Sequence, residues 1–251
     1  MEDKFEIVVA CVNHAHFLRE TLPINKRKVE RVVVVTTPTD YETQKVCIDN
    51  DVDCIKTDLF YKDGAHFNRG LALNEAFNNL KDPSWVLHLD SDIVLPRGYE
   101  EILNPKNKNL KLNTLYGARR VEISDREEYL ALLKEFALFY APRPVGELID
   151  KPEEVCCGFF QLFNINSECL KFIKDQTILF PEAMMNEVQS YSSGQFSNIA
   201  KSAGDIYPSF PTCGGSDIHF RAFWENKVEI AVPVFHLGKE RDHSGRKVFK
   251  F

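Results

Sequence analysis

Two aspartates one residue apart, Asp90 and Asp92, stand where an apolar run ends, in the stretch WVLHLDSDIVLP at residues 85–96. On an extended chain, side chains two apart point the same way, so the two carboxylates are expected to converge while Ser91 faces away. Such a pair is either a solvated turn or a seat for a hard divalent cation. Mg2+ and Mn2+ take oxygen ligands, commonly one or two carboxylates, and leave positions for substrate phosphates. A cation held there would neutralise the charge that builds on a leaving diphosphate.

The elements around the pair must place it at a sheet edge for that chemistry to work. FEIVVACV (5–12) and RVVVVTT (31–37) read as short buried strands, because β-branched residues run on without polar alternation, and VDCIKTD (52–58) and WVLHLD (85–90) read as a third and a fourth strand. Between them, HFLRETLPI predicts a short helix that stops near Pro23. TPTDYETQKVCIDN predicts a second, with Thr39 or Asp40 as its cap, and FNRGLALNEAFNNL (67–80) a third. This alternation predicts an α/β fold with a mostly parallel, Rossmann-like central sheet flanked by helices, in which ligands bind at the carboxyl ends of the strands. Asp90 and Asp92 fall at that edge. The second half is less regular. LYGARRVEI (115–123), CCGFFQLFNI (156–165) and EIAVPVFHLG (229–238) predict strands, REEYLALLKEFALF (126–139) a helix or lid, and CGGSDIHFRAFWEN (213–226) a Gly-rich turn opening a helix.

The chain has 251 residues, 44% of them hydrophobic, and no repeat, low-complexity segment or linker, which predicts one domain over 1–251. Its net charge of −6, from 37 acids against 31 Lys plus Arg, argues against a protein held on nucleic acid by phosphate neutralisation. Seven cysteines, odd in number and without CxxC spacing, fit a reducing cytosol, and cytoplasmic localisation is the expectation. The start MEDKFEIVVACVN shows no signal-peptide pattern, and no run is long enough for a transmembrane segment.

Several stretches carry a resemblance. LHLDSDIVLP resembles the Asp-x-Asp strand of GT-A-fold glycosyltransferases, HFNRGLALNEAF is similar to the Phe-Asn-Arg…Asn helix of the family 2 and family 7 (galactosyltransferase-like) members, and CGGSDIHFRAFW resembles their Gly-Gly-Glu-Asp turn and helix. VFHLG is similar to a late strand whose histidine completes the metal site, and the matches keep the family's order along nearly the whole chain. The resemblance implies a nucleotide-binding half (1–95), an acceptor and catalytic half (96–238) and a basic tail (239–251). It implies Mn2+ or Mg2+ held directly by Asp92, with Asp90 acting through water or on the donor ribose, and with His236 as a further ligand. His236 can equally be a core histidine.

The same resemblance assigns the donor site. Arg69 and Asn74 would face the nucleotide, and Asn13, Thr37 and Asp40 would line the base pocket; for Asp40 a plain helix cap explains the residue as well. Ser91 counts among the donor contacts. Gly158 would lie beside the donor sugar, where Cys157 stands in place of the family's first glycine. Gly214 and Gly215 would let backbone approach the sugar, although a simple tight turn needs them too. Asp217 would be the general base that deprotonates an acceptor hydroxyl, or merely a cap of its helix, and Ser216 stands where the family carries glutamate. Lys239 and Arg241, in the basic tail, would fold over the diphosphate as a lid; a frayed terminus is the plainer reading.

The leading expectation is therefore a metal-dependent, inverting glycosyltransferase with a nucleotide-sugar donor, a UDP-sugar by resemblance, and a hydroxyl acceptor such as a glycan or a modified DNA base. A sugar-phosphate nucleotidyltransferase is the first alternative, but its Gly-rich basic loop after the first strand is here NHAHFLRE, without glycine. A non-catalytic nucleotide-sugar-binding domain is the second, and it sits poorly with a chain that retains Asp90, Asp92, Asp217 and His236.

Overall fold

The structure is a computed structural model that describes residues 4–81, 83–104, 109–138, 156, 158–212, 215–238, 240–241 and 247–248. The first half alternates as the sequence predicts: β1 (Phe5–Ala10), α1 (Ala15–Asn25), β2 (Arg31–Thr36), α2 (Tyr41–Asp49), β3 (Asp53–Lys56), α3 (Arg69–Phe77) and β4 (Trp85–Leu89). There follow β5 (Ile93–Val94), α4 (Tyr99–Ile102), β6 (Leu115–Ile123), α5 (Arg126–Leu138), β7 (Phe160–Asn164), α6 (Glu168–Asp175), β8 (Ile178–Leu179) and α7 (Glu182–Ser190). The last elements are β9 (Ile199–Lys201), α8 (Ser216–Ala222), β10 (Lys227–Leu237), β11 (Glu240–Arg241) and β12 (Lys247–Val248).

Eight strands form one sheet in the order β3-β2-β1-β4-β7-β6-β10-β5. The first four are parallel, β7 runs antiparallel to β4 and β6, and β10 is parallel to β6 but antiparallel to β5. Helices cover both faces, which is why the strands need no polar side. Along β1 and β2, Ile7, Val9, Val32 and Val34 pack with Leu18 and Leu22 of α1 and Val46 of α2. Their neighbours Val8, Val33 and Val35 pack on the opposite face with Leu73 and Phe77 of α3 and Phe220 and Trp224 near α8.

The sheet curls strongly. β4 lies in its middle and β5 at its far edge, yet only residues 90–92 separate them in the chain. Three residues reach roughly 10 Å when extended, so the far edge must swing back to meet the end of β4. A register shift in β10 between Ile230 and Val234 supplies part of the bend.

Helix α1 corrects one expectation: it continues through Pro23 to Asn25 rather than stopping there. The missing N–H falls in the final turn, and the residues around it are anchored. Thr21 Oγ1 donates to Ser91 O at 2.8 Å, Asn25 Nδ2 donates to Ile93 O at 2.8 Å, and Leu95 N donates to Asn25 Oδ1 at 2.9 Å. These buried bonds fix the middle of the Asp-Ser-Asp turn and the chain that follows it from one helix. Among the described residues no helix is long and apolar enough to cross a membrane, and Cys11, Cys47, Cys54, Cys156 and Cys169 are in no disulfide.

Candidate active site

The site is built at the carboxyl edge of the sheet, where β1, β2, β4, β6 and β10 end and the antiparallel β7 begins. Asp90 N donates to Phe159 O at 3.0 Å, and Leu89 pairs with Phe160, so the end of β4 and the entry to β7 are locked together. That lock brings Gly158 to Asp90.

The Asp-Ser-Asp segment is not extended. Ile93 N donates to Asp90 O at 3.2 Å, a turn bond from Asp-Ser-Asp, residues that favour turns. The alternation argument for a shared direction therefore does not apply, and the two carboxylates take different partners. Asp90 Oδ1 receives Arg69 NH1 at 2.9 Å, whereas Asp92 Oδ2 lies 3.2 Å from His236 Nε2.

Arg69 opens α3, which is capped by Asn68 (Leu71 N to Asn68 Oδ1, 3.2 Å). Its guanidinium spans two acids: one arm reaches Asp90 and NH2 lies 3.2 Å from Asp217 Oδ2. Asp217 does not cap its helix. Gly215 occupies the cap position of α8 with φ 100° and no side-chain cap bond, so the carboxylate of Asp217 is free to turn toward Arg69. Its other oxygen, Oδ1, is buried and has no hydrogen-bond partner among the described residues. The Asp217 carbonyl is gripped from below by Gln161 Nε2 at 3.2 Å, and Gln161 Oε1 in turn accepts from Tyr207 OH at 2.5 Å.

Ser216 is fully buried beside α3, its Cβ 3.3 Å from where a Cβ on Gly70 would sit. A glutamate in its place would have to enter that helix contact, which gives a steric reason for the small residue. Gly158 is constrained more tightly. An added Cβ would lie 1.9 Å from Asp217 Oδ2 and 2.6 Å from Arg69 NH2. Gly158→Ala is expected to push the Arg69–Asp217 pair apart at a cost of about 1–3 kcal/mol, read as a lower melting temperature.

His236 is 2% exposed and central to a row across three strands. It stands opposite Glu122 on β6 and Ile93 on β5, and Leu237 N donates to Asp92 O at 2.9 Å. Its Nδ1 lies 3.6 Å from Glu122 Oε1. Sequence reading missed Glu122; its one signal is a lone acid inside the apolar strand end RVEI.

The base-pocket residues gather at the ends of β1 and β2. Asp40 is the cap of α2 (Thr43 N to Oδ1, 3.1 Å), and its other oxygen accepts from Asn13 N at 2.7 Å and Thr36 Oγ1 at 3.2 Å. Asp40 is thus the brace of this corner. Asn13 is exposed, with φ 58°, and Thr37 is buried with its hydroxyl 3.4 Å from that of Thr39. Ser91 is buried, its carbonyl taken by Thr21.

Asn74 does not turn toward a nucleotide. Its Nδ2 donates to Tyr207 O at 2.9 Å and its Oδ1 accepts from Ile206 N and Tyr207 N at 3.0 and 2.9 Å. Together with Asn68, which accepts from Phe210 N at 3.3 Å, it ties the segment leading to Asp217 onto α3. Gly214 and Lys239 lie outside the described residues, as does Cys157. Arg241 pairs with Lys247 through the backbone, and Glu240 with Val248, so this stretch of the tail forms a small antiparallel ladder.

His88 lies on β4, two residues before Asp90, fully buried, its Nδ1 3.2 Å from Tyr207 OH. Burial, with the Arg69 charge adding to it, lowers its pKa from 6.5 to about 3. The unfolded chain therefore binds a proton here between about pH 3 and 6.5 that the folded chain refuses. Stability is expected to fall as pH drops through this window, by up to about 1.4 kcal/mol per pH unit. Urea unfolding across that range checks it, and His88→Gln should flatten the slope.

The arrangement offers two chemical halves. Asp92 and His236 present an oxygen and a nitrogen 3.2 Å apart, close to the roughly 3 Å between adjacent ligands of one ion bound at about 2.1 Å. Among the described residues no three His, Cys, Asp or Glu side chains converge to hold a metal alone. An ion here would take its remaining ligands from a bound phosphate and water, as hard cations at phosphate sites do. The donor set thus fits Mn2+ or Mg2+. Beside it, Asp217 offers an acceptor oxygen to a hydroxyl.

No protein-family model matches the chain, and no curated protein matches it. Solved structures do. A mycobacterial protein of 10% identity superposes with a TM-score of 0.50 over 96% of this chain and 69% of that one. The fold is GT-A. Glucosyl-3-phosphoglycerate synthase from Mycobacterium tuberculosis, in complex with Mn2+, UDP and glucosyl-3-phosphoglycerate, is 12% identical with a TM-score of 0.48, covering 96% of this chain and 74% of its own. 4-Diphosphocytidyl-2C-methyl-D-erythritol synthase from Anaerococcus prevotii DSM 20548 is 14% identical with a TM-score of 0.43, covering 99% and 93%. A fold by itself does not fix the reaction its site performs.

Proposed function

We propose that the chain is a metal-dependent glycosyltransferase that moves a sugar from a nucleotide diphosphate, a UDP-sugar by the sequence resemblance, to a hydroxyl acceptor with inversion. The observation that carries this reading is the convergence, at one sheet edge, of a metal-suited pair with an acid able to act as base. Asp92 and His236 lie 3.2 Å apart on one side of the Asp-Ser-Asp turn. Arg69 links Asp90 to Asp217 on the other.

Asp92 and His236 would hold Mn2+ or Mg2+, which when bound neutralises the charge of the departing diphosphate. Asn13, Thr37 and the corner braced by Asp40 would receive the base of the nucleotide. Arg69, a planar fork already facing acids, suits a diphosphate oxygen bidentately. Asp217 Oδ1, buried and unpartnered, would take the proton of the acceptor hydroxyl as it attacks the anomeric carbon. Gly158, by letting Arg69 and Asp217 pack against its backbone, and Gly215, in the turn that opens α8, would border the donor sugar. Lys239 and Arg241 are assigned to the diphosphate from the sequence alone, as a lid over the site.

A nucleotidyltransferase fits less well. The link between β1 and α1 is only Cys11–His14, has no glycine, and its Asn13 N–H is already committed to Asp40. The deciding test is calorimetric titration of UDP, GDP, CDP, ADP and their sugars, with and without Mn2+, on wild type and Asp92→Ala. Metal-dependent binding of one diphosphate, lost in the variant, is expected. Binding indifferent to both metal and Asp92 would overturn the reading.

A further inference from the structure

We propose that Glu122 is a positioning residue that fixes the tautomer and orientation of His236, so that Nε2 presents a lone pair beside Asp92. This rests on the metal-dependent reading above and adds to it a residue outside the predicted ligand set.

The argument starts from the ladder. β6 and β10 are parallel, with Glu122 directly opposite His236, and β5 pairs on the other side with Ile93 opposite the same histidine. The imidazole is therefore held between an acid on each side. Nε2 is 3.2 Å from Asp92 Oδ2, and Nδ1 is 3.6 Å from Glu122 Oε1. With its side chain only 3% exposed, the ring cannot turn out to water to exchange these partners.

A neutral imidazole carries one N–H and one lone pair. A cation shared with Asp92 needs the lone pair on Nε2, and the proton must then sit on Nδ1. Glu122, acceptor-only when ionised, is the group that welcomes a proton there and rejects a lone pair. Without it, an Nε2–H tautomer donating to Asp92 would compete, and that proton would occupy the place of the ion. Carboxylate partners of this kind orient metal-binding histidines generally, and their loss weakens metal affinity about 10–100-fold.

The test compares wild type, Glu122→Leu, Glu122→Gln and Asp92→Asn by Mn2+ titration, counting free ion by electron paramagnetic resonance. Glu122→Leu is expected to weaken Mn2+ binding about 10–100-fold. Glu122→Gln keeps an oxygen for Nδ1–H and is expected to recover most of the affinity, which general damage to the strand would not allow. The tautomer is read separately, in metal-free protein at about pH 9, above the ordinary histidine range, from the 15N shifts of His236. An Nδ1–H ring in wild type and Glu122→Gln, lost in Glu122→Leu, supports the assignment. Equal Mn2+ affinity in wild type and Glu122→Leu, or an Nε2–H ring in wild type, overturns it. If wild type and Asp92→Asn alike fail to hold Mn2+, the metal-dependent reading falls instead, and the 15N result still decides the role of Glu122.

Discussion

Asp217→Asn is expected to lower the rate of sugar transfer by about 10²–10⁴-fold while leaving metal-dependent nucleotide binding near that of the wild type. Asparagine matches the shape of aspartate, so the packing against Gly158 and the grip of Gln161 on the Asp217 carbonyl survive. What disappears is the basicity of Oδ1, the buried oxygen with no partner of its own. Single-turnover kinetics with the donor bound first would separate the chemical step from binding. Retained turnover would assign Asp217 to structure alone and favour a retaining route, in which the anomeric configuration is kept instead of inverted by a single displacement.

Arg69→Met carries the largest expected loss of stability. The guanidinium is the common partner of Asp90 and Asp217, and the side chains of Arg69 and Asp217 are only 12% and 13% exposed. Methionine fills the space but leaves two carboxylates facing each other. Removing one partner of a buried ion pair costs about 3–5 kcal/mol. Asp90 is 32% exposed and water screens part of the charge, so about 2–4 kcal/mol is expected here. Urea denaturation measures it. Adding Asp217→Asn to Arg69→Met should restore part of the loss, because the repulsion needs both acids; an additive double variant would show that the pair contributes nothing beyond its separate packing.

Much of this architecture is written in the apolar runs. RVVVVT occupies β2 residue for residue, because a strand buried on both faces needs continuous hydrophobic sequence, and LYGARRVEI occupies β6 although Arg119, Arg120 and Glu122 interrupt its apolar run. The short β8 and β9, at Ile178–Leu179 and Ile199–Lys201, left no such trace. In the site, Asp92 meets His236, and Arg69 meets Asp90 and Asp217, residues that the family resemblance singles out. Their pairing did not follow from the sequence. Asp90 and Asp92 part company because the backbone turns between them, a bond that alternation ignores. Asn74 proved to be a clasp for Ile206 and Tyr207, a contact set by how the later segment lies on α3. Glu122 became meaningful only through the β6–β10 register, and His88, Gln161 and Tyr207 only through burial together.

The curled sheet also governs how the protein must be made. β10 is inserted between β6 and β5, both synthesised long before it. Until it arrives, a nascent chain carries two unpaired strand edges, one of them the apolar Ile93–Val94, and each is open to pairing with another chain. Closure is a long-range event, slow by topology and exposed to aggregation while it waits. Since the same closure brings His236 to Asp92 and Glu122, a ribosome-bound fragment ending before residue 227 would hold the parallel strands β1 to β4 without that histidine and its two carboxylate neighbours in place.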